Sequence, residues 1–129
     1  MAQVKVYGIR EILEGTRAKW SALIHAALVE TLQLPAEKRF QRFLPLDAED
    51  FLFPPDRTIA YTIIEISMFE GRSREAVKSL VKKIMADAQA VLGISANDVE
   101  ITVSESPRHC WGIRGKTGDE LALSYKVEV

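Results

Sequence analysis

"EGRSREAVKSLV", residues 70–81, separates two stretches of opposite habit, and its reading decides the fold. Before it, "YTIIEISMF" at residues 61–69 is the most strand-like run in the chain, rich in β-branched and aromatic residues. Gly71 marks the turn, and Ser73 stands where a helix N-cap is needed. Behind it Ala76, Val77, Leu80, Val81, Ile84, Met85, Ala88, Val91 and Leu92 recur at helical period until Gly93 supplies a stop. "VEITVSE" then puts Val99, Ile101 and Val103 on one face and Glu100, Thr102 and Ser104 on the other, which is a strand again. Strand, helix and strand in this order predict a βαβ unit.

The first half repeats the order. "EGTRAKWSALIH" at residues 14–25 echoes the quoted stretch, and "QVKVY" at 3–7 alternates as a half-buried strand should. "GIREILEG" reads as a connector, and Thr16 as the N-cap of a helix carrying Trp20, Leu23, Ile24, Ala27, Leu28 and Leu32, ended by Pro35. "KRFQRFLPL" has strand character through Phe40 and Phe43, while Pro45 and "DAEDFLFPPDR" mark the loop that joins the halves. "LPAE" at 34–37 lies sixty positions before "ISAN" at 94–97, which matches the helix ends of the two repeats.

Two βαβ units with right-handed crossovers place both helices on one face of a shared sheet. The expected fold is α/β, an α+β two-layer sandwich with a four-stranded mixed sheet and two helices on one face. One domain over residues 1–129 is expected, with repeat one at about 3–46, repeat two at about 61–115 and a C-terminal arm at 116–129. In that arm "YKVEV" alternates, as a short edge strand or a subunit-bridging arm would. The sheet's other face is left bare, and adjacent Ile63 and Ile64 offer apolar surface both ways, so further copies of the chain are the simplest cover.

A formal charge of −1 gives no long-range field for nucleic acid or anionic membrane. Neither partner is expected, and Lys78, Lys82 and Lys83 read as a solvated helix face. The opening residues lack the apolar core of a signal peptide, no later run approaches membrane-spanning length, and Cys110 has no second cysteine to pair with. A cytoplasmic protein is expected. "GIRGKTGDE" lacks the spacing and the following helix of a phosphate loop. "DAEDFLFPPD" carries Asp47, Glu49, Asp50 and Asp56, but with two prolines and the wrong spacing for a calcium loop. It reads as a solvated loop that lids a site with Phe51 and Phe53.

"EISMFEGRSREAVKSLVKKIMADAQAVLGISANDVEITVSES", followed by "HCWGIRG", resembles the βαβ subunit of the 4-oxalocrotonate tautomerase family over roughly residues 61–115. In that family Glu-Gly-Arg-Ser ends the first strand and an aromatic-Gly-Ile motif follows the second. The tandem arrangement is similar to double-length members such as the malonate semialdehyde decarboxylases, which "LPAEKRFQ" also resembles more loosely. The resemblance implies a homotrimer and a cofactor-independent keto-enol tautomerase, an isomerase acting on a small enolisable carboxylic acid. An amino-terminal proline is the family's general base, and this chain has Ala2 there. With Met1 removed, Ala2 offers a primary amine of ordinary pKa about 7.7–8.0. Counting back from Glu14-Gly15 places the proline position at Val6 instead, unless "GIREIL" has absorbed an insertion. A bound water is the other candidate base.

The resemblance makes Arg72 the ligand of a substrate carboxylate. As a cation in the first turn of a helix it stands against the helix dipole, which also points to a use beyond solvation. Arg39 and Arg42 flank Phe40 and are candidates for a second carboxylate contact, although an edge strand with outward charges has the same pattern. Trp111 occupies the aromatic position before Gly-Ile, expected at the pocket mouth. His25 is the remaining substrate-binding candidate, set against the commoner packed histidine beside an apolar stripe. His109 and Cys110 are adjacent, so their side chains point apart and make no nucleophile pair. The chain departs from the decarboxylases in carrying Lys38 at their catalytic aspartate and Glu70 at their second arginine, and Glu100 replaces an arginine of the tautomerase. The other function class is a non-catalytic trimeric anion-binding protein without the base.

Overall fold

In the computed structural model, which describes residues 1–129, strand β1 (Ala2–Ile9) runs directly into helix α1 (Arg10–Leu32), and β2 (Gln41–Leu46) follows. The second unit is β3 (Thr62–Phe69), α2 (Arg74–Asp87) and β4 (Val99–Ser106). A small hairpin, β5 (Gly112–Ile113) with β6 (Lys116–Thr117), comes after it. The sheet order is β2-β1-β3-β4, parallel within each unit and antiparallel where β1 meets β3. This is the four-stranded mixed sheet expected of tandem βαβ units.

Alternation along the inner strands builds the core. Ala2, Val4 and Val6 oppose Met68, Ile66 and Ile64 across the β1–β3 ladder, all buried on one face. Against them lie Leu13, Trp20, Ile24 and Leu32 of α1 and Leu80 and Ile84 of α2, in one contiguous cluster. Each fully buried aliphatic side chain there contributes roughly 1.5–3 kcal/mol. Lys83 ties α2 to α1 through Glu30 (3.1 Å) and also pairs within α2 with Asp87 (3.0 Å). The opposite sheet face carries Lys5, Tyr7, Ile63, Glu65 and Ser67, none of them buried, with Tyr7 donating to Glu65 at 2.5 Å.

Two boundaries differ from the sequence reading, each for a physical reason. "GIREILEG" is not a connector, because the helical stripe extends back to Leu13, which is buried, and Arg10 at the helix start bonds Asp47 (2.9 Å). Thr16 is therefore no cap; it lies inside α1 and its hydroxyl donates back to the Ile12 carbonyl (2.9 Å). The Glu14-Gly15 echo is consequently helical, whereas Glu70-Gly71 is a loop. Pro45 does not end its strand either: β2 is the outermost strand, where a missing N–H is tolerated.

The second unit follows its reading more closely. Ser73 caps α2 by accepting from the Ala76 N–H (3.1 Å), and Gly93 closes the segment with φ 66°. A five-residue π turn at Ala88–Leu92 rotates the end of the stripe, which leaves Val91 exposed instead of packed. The terminal "YKVEV" forms no strand and folds back onto its own chain: Val127 is buried, and the Val129 carbonyl accepts from the Ser73 N–H at 2.9 Å.

The unequal roles of the two hydroxyl residues are measurable by urea denaturation. Ser73→Ala is expected to cost about 1 kcal/mol, the loss of an N-cap. Thr16→Ala is expected to change stability by less than about 0.5 kcal/mol or to raise it, since alanine is the better interior helix residue. Equal losses in the two variants would contradict the placement of the α1 start.

Candidate functional site

Antiparallel pairing of β1 and β3 brings the beginning of the first strand beside the end of the third. The Met1 carbonyl accepts from the Phe69 N–H (3.2 Å), so the first residue sits where β3 turns into the Glu70–Ser73 loop. Gly71 makes that turn at φ 127°, a conformation open to glycine, and a Cβ there would also press to 3.1 Å on Val127. A cavity of about 80 Å³ opens at this corner, lined by Met1, Lys38, Phe69, Arg114 and the segment Leu121–Tyr125.

Cations converge on it. Arg72 is only 7% exposed and bonds the Phe69 carbonyl through Nη1 (2.9 Å), yet its Nε and Nη2 are buried without a partner. Buried donors of a guanidinium are ordinarily paired; here the Tyr125 hydroxyl is near enough to act on the group but meets no donor in good geometry, which leaves the residue ready for an anion. Burial lowers the Arg72 pKa, against the pull of Tyr125, Glu105 and Glu128. The Met1 amine donates to the Tyr125 hydroxyl. Burial, then the charges of Arg72, Arg108 and Lys38, lower the amine from 8.0 to about 5, so it is neutral at pH 7. Burial raises the Tyr125 phenol, which keeps it protonated there.

The walls are fixed from behind. Arg108 stacks over Phe69 (5.4 Å) and donates to the Gly118 carbonyl (2.9 Å) and the Leu121 carbonyl (3.0 Å). Gly118 approaches so closely that a Cβ would lie 2.4 Å from the Arg108 carbonyl oxygen. The β5–β6 turn holds Arg114 at φ 50°, followed by Gly115 at 81°, the positive pair of a tight hairpin.

The residues singled out in the sequence divide accordingly. Ala2 begins β1 at the cavity end, while Val6 is fully buried at mid-strand opposite Ile64; the count from Glu14-Gly15 fails because that pair belongs to α1. Arg72 acts on the amine through its charge, although it is not itself among the residues that line the cavity. Trp111 is one layer back, edge-on to Phe69 at 5.2 Å, and does not line the cavity. Arg39 and Arg42 are also outside it: Arg39 donates to Ser21 (3.2 Å) and Arg42 to Gln3 (3.2 Å), along an open groove of about 400 Å³ on the edge strand. His25 is a packing residue, not a cavity residue; it is buried in α1 and its Nε2 meets the Ala36 carbonyl at 2.6 Å, two residues before Lys38.

Phe51 and Phe53 pack with Tyr61 at the opposite end of β1 and β3, roughly an eight-residue strand or ~25 Å away, and so do not lid this corner. Glu100 is at that far end too, held by Arg57 (2.8 Å) and by Tyr61. Asp47, Glu49 and Asp50 cluster on the exposed loop, with Asp47 already paired to Arg10. Of the cavity residues, Lys38 had a signal in the resemblance, which sets it at the decarboxylases' catalytic aspartate, whereas Arg114 and Tyr125 had none. The three come from separate loops and share no spacing.

Comparison with known proteins agrees with this geometry. The family model described as "Tautomerase enzyme" matches residues 38–114. A probable tautomerase, YusQ of Bacillus subtilis (strain 168), is 24% identical over 98 residues, covering 72% of this chain and 77% of that protein. The 2-hydroxymuconate tautomerase of Comamonas testosteroni is 32% identical over 57 residues, 44% of this chain and 90% of that one. Among solved structures, FG41 malonate semialdehyde decarboxylase superposes with TM-score 0.80 at 25% identity, over 94% of this chain and 98% of its own. Native fused 4-OT has the same fold, with TM-score 0.81 at 19% identity over 92% and 98% of the two chains. The matched segment starts at one cavity cation, Lys38, runs through β3, α2 and β4, and ends at another, Arg114; with the fold shared along nearly the whole chain, the protein belongs to the tautomerase family.

Proposed function

We propose that the protein is a keto-enol tautomerase, an isomerase of a small enolisable carboxylic acid. The observation that carries this reading is a neutral amine at the wall of a cationic cavity. The leading amine, that of Ala2 where Met1 has been removed and of Met1 where it has not, takes the proton from the carbon next to the carbonyl. Arg72, with two donors unpaired, holds the substrate carboxylate and the charge that develops on the enolate, with Lys38 and Arg114 adding to the field. A cavity of about 80 Å³ suits a substrate of few atoms.

Val6 at the proline position would support the alternative of a non-catalytic anion binder. Val6 at mid-strand, away from the cavity, favours the enzyme. Lys38 and Glu70 in place of the decarboxylase residues favour isomerisation over decarboxylation.

Assembly as a homotrimer is part of the same proposal. It is supported by the bare sheet face and by fused 4-OT proteins of this fold that form trimers. Arg42 on the outermost strand and Arg39 just before it, neither paired with a carboxylate, are then available to a neighbouring copy.

Ultraviolet-monitored ketonisation of phenylenolpyruvate and of the smaller 2-hydroxy-2,4-pentadienoate, on protein whose first residue has been verified by mass, is the test. Enzyme-dependent turnover is expected, with Arg72→Ala reducing kcat/KM about 100-fold, the scale of one lost charge-stabilising contact. Absence of turnover with either enol would refute the isomerase reading.

The pH profile has a definite sign. Followed in the enolisation direction, in chain that retains Met1, the base is lost as pH falls through about 5, so the rate should be flat between pH 6 and 8 and halve near pH 5. A rate that climbs through pH 8 would indicate an ordinary, solvated amine. Sedimentation equilibrium is expected to return three times the chain mass, and a monomer would refute the trimer.

A further inference from the structure

Tyr125 is an unassigned member of the site, and the segment that carries it is built to hold it there. Val129 bonds its carbonyl to the N-terminus of α2 at Ser73 (2.9 Å), Val127 is buried against Gly71, and Arg108 grips the Leu121 carbonyl (3.0 Å). Between these fixed points Tyr125 lines the cavity, with its hydroxyl in hydrogen-bond contact with the Met1 amine and under the influence of Arg72. A residue tethered on both sides and aimed at the amine is more than a covering side chain.

We propose that Tyr125 is the catalytic acid of this site, working as a pair with the leading amine. The inference rests on the isomerase reading given above. In the neutral pair the phenol is the better donor and the amine the better acceptor, so a substrate that enters between them frees the amine's lone pair for its α-carbon and turns the phenolic O–H to its carbonyl oxygen. An α-carbon and its carbonyl oxygen are two bonds apart, so a base and an acid in direct contact span them. In enolisation the amine nitrogen takes the α-proton, and the C–H electron pair becomes the C=C bond. The C=O π pair moves to oxygen, which takes the phenolic proton. This leaves an ammonium and a tyrosinate already joined by a hydrogen bond. The ammonium returns its proton along it, restoring amine and phenol with no solvent step, and ketonisation is the reverse.

Tyr125→Phe keeps the ring and the tether and removes only the hydroxyl. Kinetics on 2-hydroxy-2,4-pentadienoate and phenylenolpyruvate, the inhibition constant for oxalate as a substrate-sized anion, and the thermal midpoint would be measured on wild type and variant. The expected result is kcat down about 100-fold, with KM, the oxalate constant and the midpoint little changed. A variant with kcat within threefold of wild type overturns the acid role and leaves the isomerase reading standing. A variant that raises KM and the oxalate constant with kcat unchanged also overturns it, since the hydroxyl would then only bind. Wild type inactive on the two enols overturns the isomerase reading and this inference with it.

Discussion

The antiparallel ladder between β1 and β3 is the constraint on which the rest of the structure depends. Seven register pairs, from Ala2 opposite Met68 to Gly8 opposite Thr62, join two βαβ units that would each leave an apolar sheet edge alone. The ladder buries Val4, Val6, Ile64 and Ile66 under two helices, and it fixes what lies at its ends. One end carries the first residue, Phe69 and Arg72; the other carries Ile9, Phe51 and Tyr61. A one-residue slip would turn the buried set to the open face, so the position of the cavity is as strongly specified as the core.

Electrostatics at the cavity end follows from that placement. An amine desolvated near Arg72, Arg108 and Lys38 is cheaper neutral than charged, and Glu105 and Glu128 are the acidic groups that temper Arg72. Two guanidinium donors remain unsatisfied in the interior, a cost that a carboxylate would relieve. Stability is thus given up locally at the cavity, and recovered in an apolar core that carries few polar residues.

Much of the fold was legible because its signals are local. Ser73, the stripe from Ala76 to Ala88, Gly93 and the alternation at Val99–Val103 name the second unit residue by residue. In the first unit the same cues misled: a Glu-Gly pair and a threonine inside α1 look like a turn and a cap, and only burial of Leu13 moves the helix start back to Arg10. The sixty-residue spacing of the helix ends was the sounder guide, since β1 at 2–9 and β3 at 62–69 share both that offset and an identical burial rhythm. Of the candidate site, Arg72 was named from its motif and acts on the Met1 amine, whereas Arg39, Arg42 and His25 lie away from this cavity.

The sequence by itself determined the two βαβ units, their shared sheet and the family to which they are similar, because hydrophobic period and turn chemistry act over a few residues. Only the tertiary structure decided that the chain's beginning, not Val6, meets Arg72, and that Lys38, Arg114 and Tyr125 join it. Those residues are separated by most of the chain's length, and no local pattern encodes a meeting that depends on strand register and on a tail folding back.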